Sequence, residues 1–333
     1  MTRPTISTAL LFGFLMLLIT GGCASIPSQS SHSTYFKSKD YIIYQLRPND
    51  TPALLAERFL GDARKDWLIE EANRGNAFRP DHYVVIPLRP GNKGGIYTNG
   101  IQTIPILCYH RFGNHCDSPL CVPEQVFERQ MYYLKKNGYR VISPQDLISF
   151  LSYSAPLPQK AVMITVDDGY RSFYTVAYPI LKKYGFTATM FVYTNYVGVS
   201  SKAITWDQLR DLKANGFTIG SHTIAHSDLS KPSDIESDEA YMQRLRHEIF
   251  DSKKIIDREL DQNTFFFAYP FGRSSEMSAR IVRQAGYKLA VTVKRGGNAF
   301  FAHPYLLRRD QVLKRDLNTF KSRLMNFYPI NLR

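Results

Sequence analysis

Asp167 and Asp168 stand side by side at the end of an apolar stretch, Val162-Met163-Ile164-Thr165-Val166, and Gly169 follows them. Successive side chains on a strand point to opposite faces, so adjacent carboxylates share one site only where the strand stops and the chain turns. Glycine permits that turn. Two neighbouring carboxylates repel, and near a core they call for a metal or a basic partner. His222 and His226, four residues apart in Gly220-Ser221-His222-Thr223-Ile224-Ala225-His226, offer the complementary half. On a helical turn that spacing puts both imidazoles on one face, where they can grip one cation. Two histidines and a carboxylate are a common catalytic zinc set that leaves a position for water. Either pair alone is weak, since an Asp-Asp turn is often solvated and H-x-x-x-H is often two surface histidines. Each at the end of its own strand, they point together to a catalytic metal site.

Elements able to position such a site alternate along the chain. Apolar stretches of strand length are expected at 104–109, 161–167, 187–193, 217–220, 264–269 and 287–293. Amphipathic helices are expected at 123–137, 143–151, 172–184, 205–215, 237–260 and 275–285. Buried strands separated by helices imply an α/β fold with a parallel sheet or barrel covered on both faces. Functional residues then gather at the carboxyl ends of the strands. Upstream, residues 40–89 read as a compact βααβ unit: Tyr41-Ile42-Ile43-Tyr44 as a strand, a turn and cap at Asn49-Asp50-Thr51, two helices, and Tyr83-Val84-Val85-Ile86-Pro87 as the closing strand. The Gly- and Asn-rich residues 90–103 read as a linker.

From residue 104 onward the sequence resembles the NodB-type polysaccharide deacetylases, also called carbohydrate esterase family 4. Thr165-Val166-Asp167-Asp168-Gly169 is similar to the family's T-F-D-D-G motif with Val for Phe, and Ser221 to His226 carries its H-S/T-x-x-H motif. The resemblance implies a distorted (β/α) barrel in which Asp168, His222 and His226 bind zinc, or another divalent transition metal, and Asp167 is the general base. It also implies that the backbone N–H of Phe271, in Ala268-Tyr269-Pro270-Phe271-Gly272, stabilises the oxyanion. Two departures stand out. Ala268 occupies the place where most members carry an arginine that orients the base, and Arg308 or Arg309 could substitute. The family's late acid histidine is matched only loosely by His303, whereas His110, ending Ile106-Leu107-Cys108-Tyr109, resembles the early Tyr-His of the poly-N-acetylglucosamine deacetylase branch. Either histidine could protonate the leaving amine. The activity implied is hydrolysis of a linear amide C–N bond, removing N-acetyl groups from an N-acetylglucosamine polymer of the envelope, peptidoglycan or exopolysaccharide. Xylan and chitin stay open as substrates.

The chain's start adds a location. Arg3 precedes an apolar run at 9–19, too short to span a bilayer and shaped like the core of a signal peptide. Thr20-Gly21-Gly22-Cys23 resembles a lipobox, which implies a signal at 1–22, lipidation of Cys23 and a Ser-rich tether at 23–39. A membrane-anchored envelope lipoprotein is the expectation, and Ala24 favours the outer membrane, facing the periplasm. The βααβ unit resembles a LysM module, which implies docking to peptidoglycan. With 42 Lys+Arg against 29 Asp+Glu the formal charge is +13, suited to an anionic surface, but no nucleic-acid module is recognisable. Cys116 and Cys121 flank a short loop where an exported protein could form a disulfide, and Cys108 reads as a buried thiol. The competing function is a non-catalytic glycan-binding lipoprotein, expected to have lost a metal ligand or the base.

Overall fold

The computed structural model describes residues 36–313 and 316–330. The expected signal, Cys23 and most of the tether lie outside them. Among the described residues no helix is long and apolar enough to cross a membrane.

The main sheet has eight parallel strands: seven run in the order Leu289–Val291, Phe266–Ala268, Thr218–Ser221, Thr189–Val192, Ala161–Val166, Ile106–Tyr109 and Asp310–Gln311, and Arg140–Val141 pairs off this path with the start of Ala161–Val166. All six residues of Ala161–Val166 are buried, as a strand covered on both faces requires. One row, with Leu107, Val162, Ile164 and Val166, packs outward on Phe127, Phe173 and Leu181 of the surrounding helices. The alternate row, with Ile106, Met163, Phe191 and Phe266, fills the inside. The sheet curls until its edges meet. Asp310 pairs with Leu107, while three residues earlier Leu307 bridges back to Val291 on the opposite edge. Residues 307–311 thus cross the seam of a distorted barrel, the architecture expected from the sequence.

Several boundaries differ from the sequence reading. Most of the observed strands are shorter than expected, losing residues at one or both ends, while Thr218–Ser221 keeps its expected length. The expected helices at 172–184 and 237–260 each contain a π-turn, at Phe173–Ala177 and His247–Asp251. Residues 90–103 are no simple linker: Ile96–Tyr97 and Gly100–Gln102 pair with each other, and Phe327–Pro329 adds a third strand from the carboxyl-terminal end. Cys116 and Cys121 form a disulfide, and Cys108 is a buried free thiol.

The amino-terminal βααβ unit folds on its own small core of Ile42, Tyr44, Leu55, Ile69 and Ile86. Thr51 accepts from the Leu54 N–H and caps the helix Pro52–Leu60. A strand at Phe36–Lys37, inside the segment expected as tether, pairs with Tyr41–Gln45. Arg140 fastens the unit to the barrel, reaching Asp66 at 2.8 Å and Glu70 at 2.7 Å. Arg140–Val141 lies beside Ala161 and Val162, the start of the strand that leads into Asp167, so the unit sits at the opposite end of the barrel from the aspartates.

Candidate active site

Strand parity carries Asp167 inward in the same row as Met163 and Thr165, where burial of an ionised carboxylate needs compensation. Arg309 provides it. Nη1 lies 2.7 Å from Oδ1 and Nη2 2.8 Å from Oδ2, a bidentate pair. The guanidinium is itself fully buried, and it also donates to the Thr292 carbonyl (2.9 Å) and to Thr165 Oγ1 (3.1 Å). Burial alone would raise the pKa of Asp167, but the charge and hydrogen bonds of Arg309, together with the charges of His222 and His110, outweigh it and the net direction is down. Burial likewise opposes the charge on Arg309, and Asp167 overcomes it, so the arginine is held cationic. Of the two arginines left open by the sequence, Arg309 alone reaches Asp167. Arg308 is exposed, with Nη1 donating to the Arg295 carbonyl.

Asp168 turns toward the same cavity because its backbone is left-handed (φ 75°), as is that of Gly169 (φ 78°). Its Oδ1 lies 3.5 Å from His222 Nε2 and 3.4 Å from His226 Nε2. The histidines are not on a helical turn, contrary to the sequence expectation. They lie on a loop in which Thr223 (φ 73°) and His226 (φ 59°) are left-handed, and this loop folds both rings onto Asp168. His222 Nδ1 is 2.7 Å from the Ala268 carbonyl, an acceptor only, so Nδ1 carries the proton of the neutral ring and Nε2 is the nitrogen that either takes a second proton or offers its lone pair to a cation.

These three side chains fit a divalent cation. The donor atoms lie within 4.8 Å of one another. The edge of a tetrahedron with bonds of about 2.0–2.1 Å is roughly 3.3 Å, close to the two observed separations. His222 is 2% exposed while Asp168 and His226 keep 13% and 24%, so the set is reached from one side. With no cation present, burial would raise the pKa of Asp168, yet hydrogen bonds from the two histidines hold it well below the usual carboxylate range. Burial opposes the charge on His222, and Asp168 and Asp167 reverse that to a net rise. A proton and a metal therefore compete at His222, and metal affinity falls as pH drops through that raised pKa.

His110 is buried beside Asp167 and Cys108, their donor atoms within 4.8 Å of one another. Its pKa is lowered, chiefly by burial, against the pull of Asp167 and Asp168. His303 is exposed elsewhere, its Nδ1 accepting from the Tyr305 N–H at 3.2 Å. Phe271 is left-handed (φ 57°) and its ring lies 4.6 Å from that of His226. Cys108 and Thr165 were missed as site residues. Cys108 Sγ is 3.5 Å from Asp167 Oδ2, and both residues share the inward parity of Asp167, a signal present in the sequence. Replacing His110 by Ala should cut turnover about 10²- to 10⁴-fold at unchanged metal content, with His303→Ala near wild type; the opposite pattern in acetate-release assays and metal analysis would return the acid role to His303.

A polysaccharide deacetylase family model matches residues 154–290. The match takes in Asp167, Asp168, His222, His226 and Phe271, while His110 lies before it and Arg309 after it. YxkH of Bacillus subtilis (strain 168), a polysaccharide deacetylase homologue, is 34% identical over 217 residues, covering 65% of this chain and 74% of its own. The poly-β-1,6-N-acetyl-D-glucosamine N-deacetylase of Escherichia coli K12 is 22% identical over 211 residues, covering 53% of this chain, which spans only 31% of that enzyme. Among solved structures, the Streptococcus pyogenes deacetylase PplD in complex with acetate is 34% identical, with a TM-score of 0.57 over 63% of this chain and 92% of its own. The chain belongs to the polysaccharide deacetylase family.

Proposed function

We propose that the protein is a zinc-dependent N-deacetylase of an N-acetylglucosamine-containing envelope polysaccharide. The observation that carries this reading is the convergence of Asp168, His222 and His226 beside an Asp167 locked to Arg309. A non-catalytic relative has no reason to keep so costly a buried charge arrangement intact. Asp168, His222 and His226 would hold the cation, which when bound supplies Lewis acidity that acidifies water and polarises an amide carbonyl.

This chain's own residues do the rest. Asp167, ionised and oriented by Arg309, accepts the proton of the attacking water as its oxygen bonds to the acetamide carbon. The Phe271 N–H donates to the oxygen that becomes negative. His110 delivers a proton to the nitrogen as the C–N bond breaks, and acetate and a sugar amine result. Replacing neutral acetamides by amines makes the polymer cationic.

The poly-β-1,6-N-acetyl-D-glucosamine deacetylases among the relatives support a glucosamine polymer, and the βααβ unit supports peptidoglycan through its LysM-like order of elements. Both fit an envelope lipoprotein anchored at Cys23 and facing the periplasm. Acetate release should be measured on β-1,4- and β-1,6-linked N-acetylglucosamine oligomers and on peptidoglycan, with cosedimentation on insoluble peptidoglycan in parallel. Release from at least one polymer is expected, and the protein should sediment with peptidoglycan. Zinc-loaded protein that releases none from all three would sink the enzyme reading, and protein that stays in the supernatant would sink the docking role.

A further inference from the structure

The loop that carries His222 and His226 is held by a residue 22 positions past the second histidine. Glu248 is 4% exposed and lies in the π-turn His247–Asp251 of the long helix spanning 238–260. Its Oε2 accepts from the backbone N–H groups of Ile224 (2.8 Å) and Ala225 (3.0 Å), and its Oε1 from the Ser227 hydroxyl (2.7 Å). The guanidinium of Arg244, on the same helix, is engaged with Glu236. The carboxylate of Glu248 is thus spent on the loop.

A second contact comes from the same helix one turn later. The Thr223 N–H donates to Ser221 Oγ at 3.2 Å, and Ser221 Oγ lies 2.8 Å from Ser252 Oγ. Ser252 in turn donates to the Ile249 carbonyl at 3.1 Å, which leaves Ser221 as the donor between the two hydroxyls. Left-handed backbone at two non-glycine residues, Thr223 and His226, is sparsely populated and persists only where the surroundings over-determine it. Glu248 ties the two residues between them. π-turns often mark functional sites, and this one places a carboxylate where the loop's amides need an acceptor.

We propose that Glu248 is a positioning residue for the metal-ligand loop, holding it in the conformation in which His222 and His226 both face Asp168; this rests on the metal reading above. Glu248 touches no ligand side chain and no reacting atom, and it acts through the backbone of Ile224 and Ala225.

The test measures zinc affinity by chelator competition for wild type, Glu248→Gln, Glu248→Asp and Glu248→Ala. Thermal midpoints of the zinc-free proteins, and hydrogen exchange at the Ile224 and Ala225 amides of zinc-free wild type, are read alongside. Gln keeps the geometry, its oxygen taking both amides and its NH2 donating to Ser227, and should stay within about threefold of wild type. Asp is one methylene too short to span the same three donors, and it and Ala should bind zinc about 10- to 100-fold more weakly. The zinc-free midpoint of Glu248→Asp should stay near wild type, and the two amides should be protected. Wild-type affinity in Glu248→Asp, or in Glu248→Ala where it folds, would overturn the proposal, as would unprotected amides. Should Glu248→Ala not fold, Glu248→Asp and the exchange data decide. A wild-type protein that binds no zinc would overturn the metal reading itself, with the exchange data still deciding whether Glu248 orders the loop.

Discussion

Asp167→Asn should keep its zinc and lose about 10²- to 10⁴-fold in turnover, the span attributed to a positioned general base. The substitution preserves shape and an acceptor oxygen but removes the proton affinity. Because Asp167 is no part of the Asp168, His222 and His226 set, metal content is expected to stay at the wild-type level. The change has a second consequence. Arg309 is fully buried, and an amide in place of the carboxylate leaves its charge without a counter-ion. Breaking such a pair costs on the order of 3–5 kcal/mol, so the unfolding midpoint should also fall. Turnover measured well below that midpoint separates the two effects, and an active, zinc-loaded Asp167→Asn would remove Asp167 from the base role.

Arg309→Met is the complementary change, with an effect that depends on pH. Arg309 is the strongest of the groups that hold the pKa of Asp167 down against burial, with His222 and His110 adding to it. In the wild type the depressed pKa contributes stability that is present above the unfolded carboxylate value and lost as pH falls through the folded one. Without the guanidinium, burial dominates and the pKa of Asp167 rises. The acid limb of the pH–rate profile should then move to higher pH, and the variant should be destabilised at neutral pH by about 3–5 kcal/mol, less so in acid, where Asp167 is protonated. Turnover near pH 7 should fall because a growing share of the base carries a proton. A profile whose acid limb stays in place would show that Arg309 does not set the ionisation of Asp167.

What the sequence made legible follows from how local each signal is. Asp167, Asp168, His222 and His226 were readable because strand parity, a turn glycine and a fixed spacing act within a few residues, and the alternation of apolar and amphipathic stretches predicted the barrel. The path of the histidine loop was not readable. H-x-x-x-H suggests a helical face, but the left-handed backbone at Thr223 and His226 depends on Glu248, brought close only by the folded helix. The choice between Arg308 and Arg309 was hidden for a related reason. The strand Asp310–Gln311 is too short to show a period of its own, and only its pairing across the seam turns Arg309 inward and Arg308 out. His110 and Arg309 flank the family match, yet the curled sheet brings both to Asp167.

Deacetylation should depend on a metal held by Asp168, His222 and His226. Elemental analysis of purified protein, followed by acetate release before chelation, after chelation and after zinc is returned, tests it most directly. The expected result is about one zinc per chain, activity abolished by the chelator and restored by zinc, and neither metal nor activity in His222→Ala. Acetate release that survives complete removal of metal, or full metal content in His222→Ala, would contradict it.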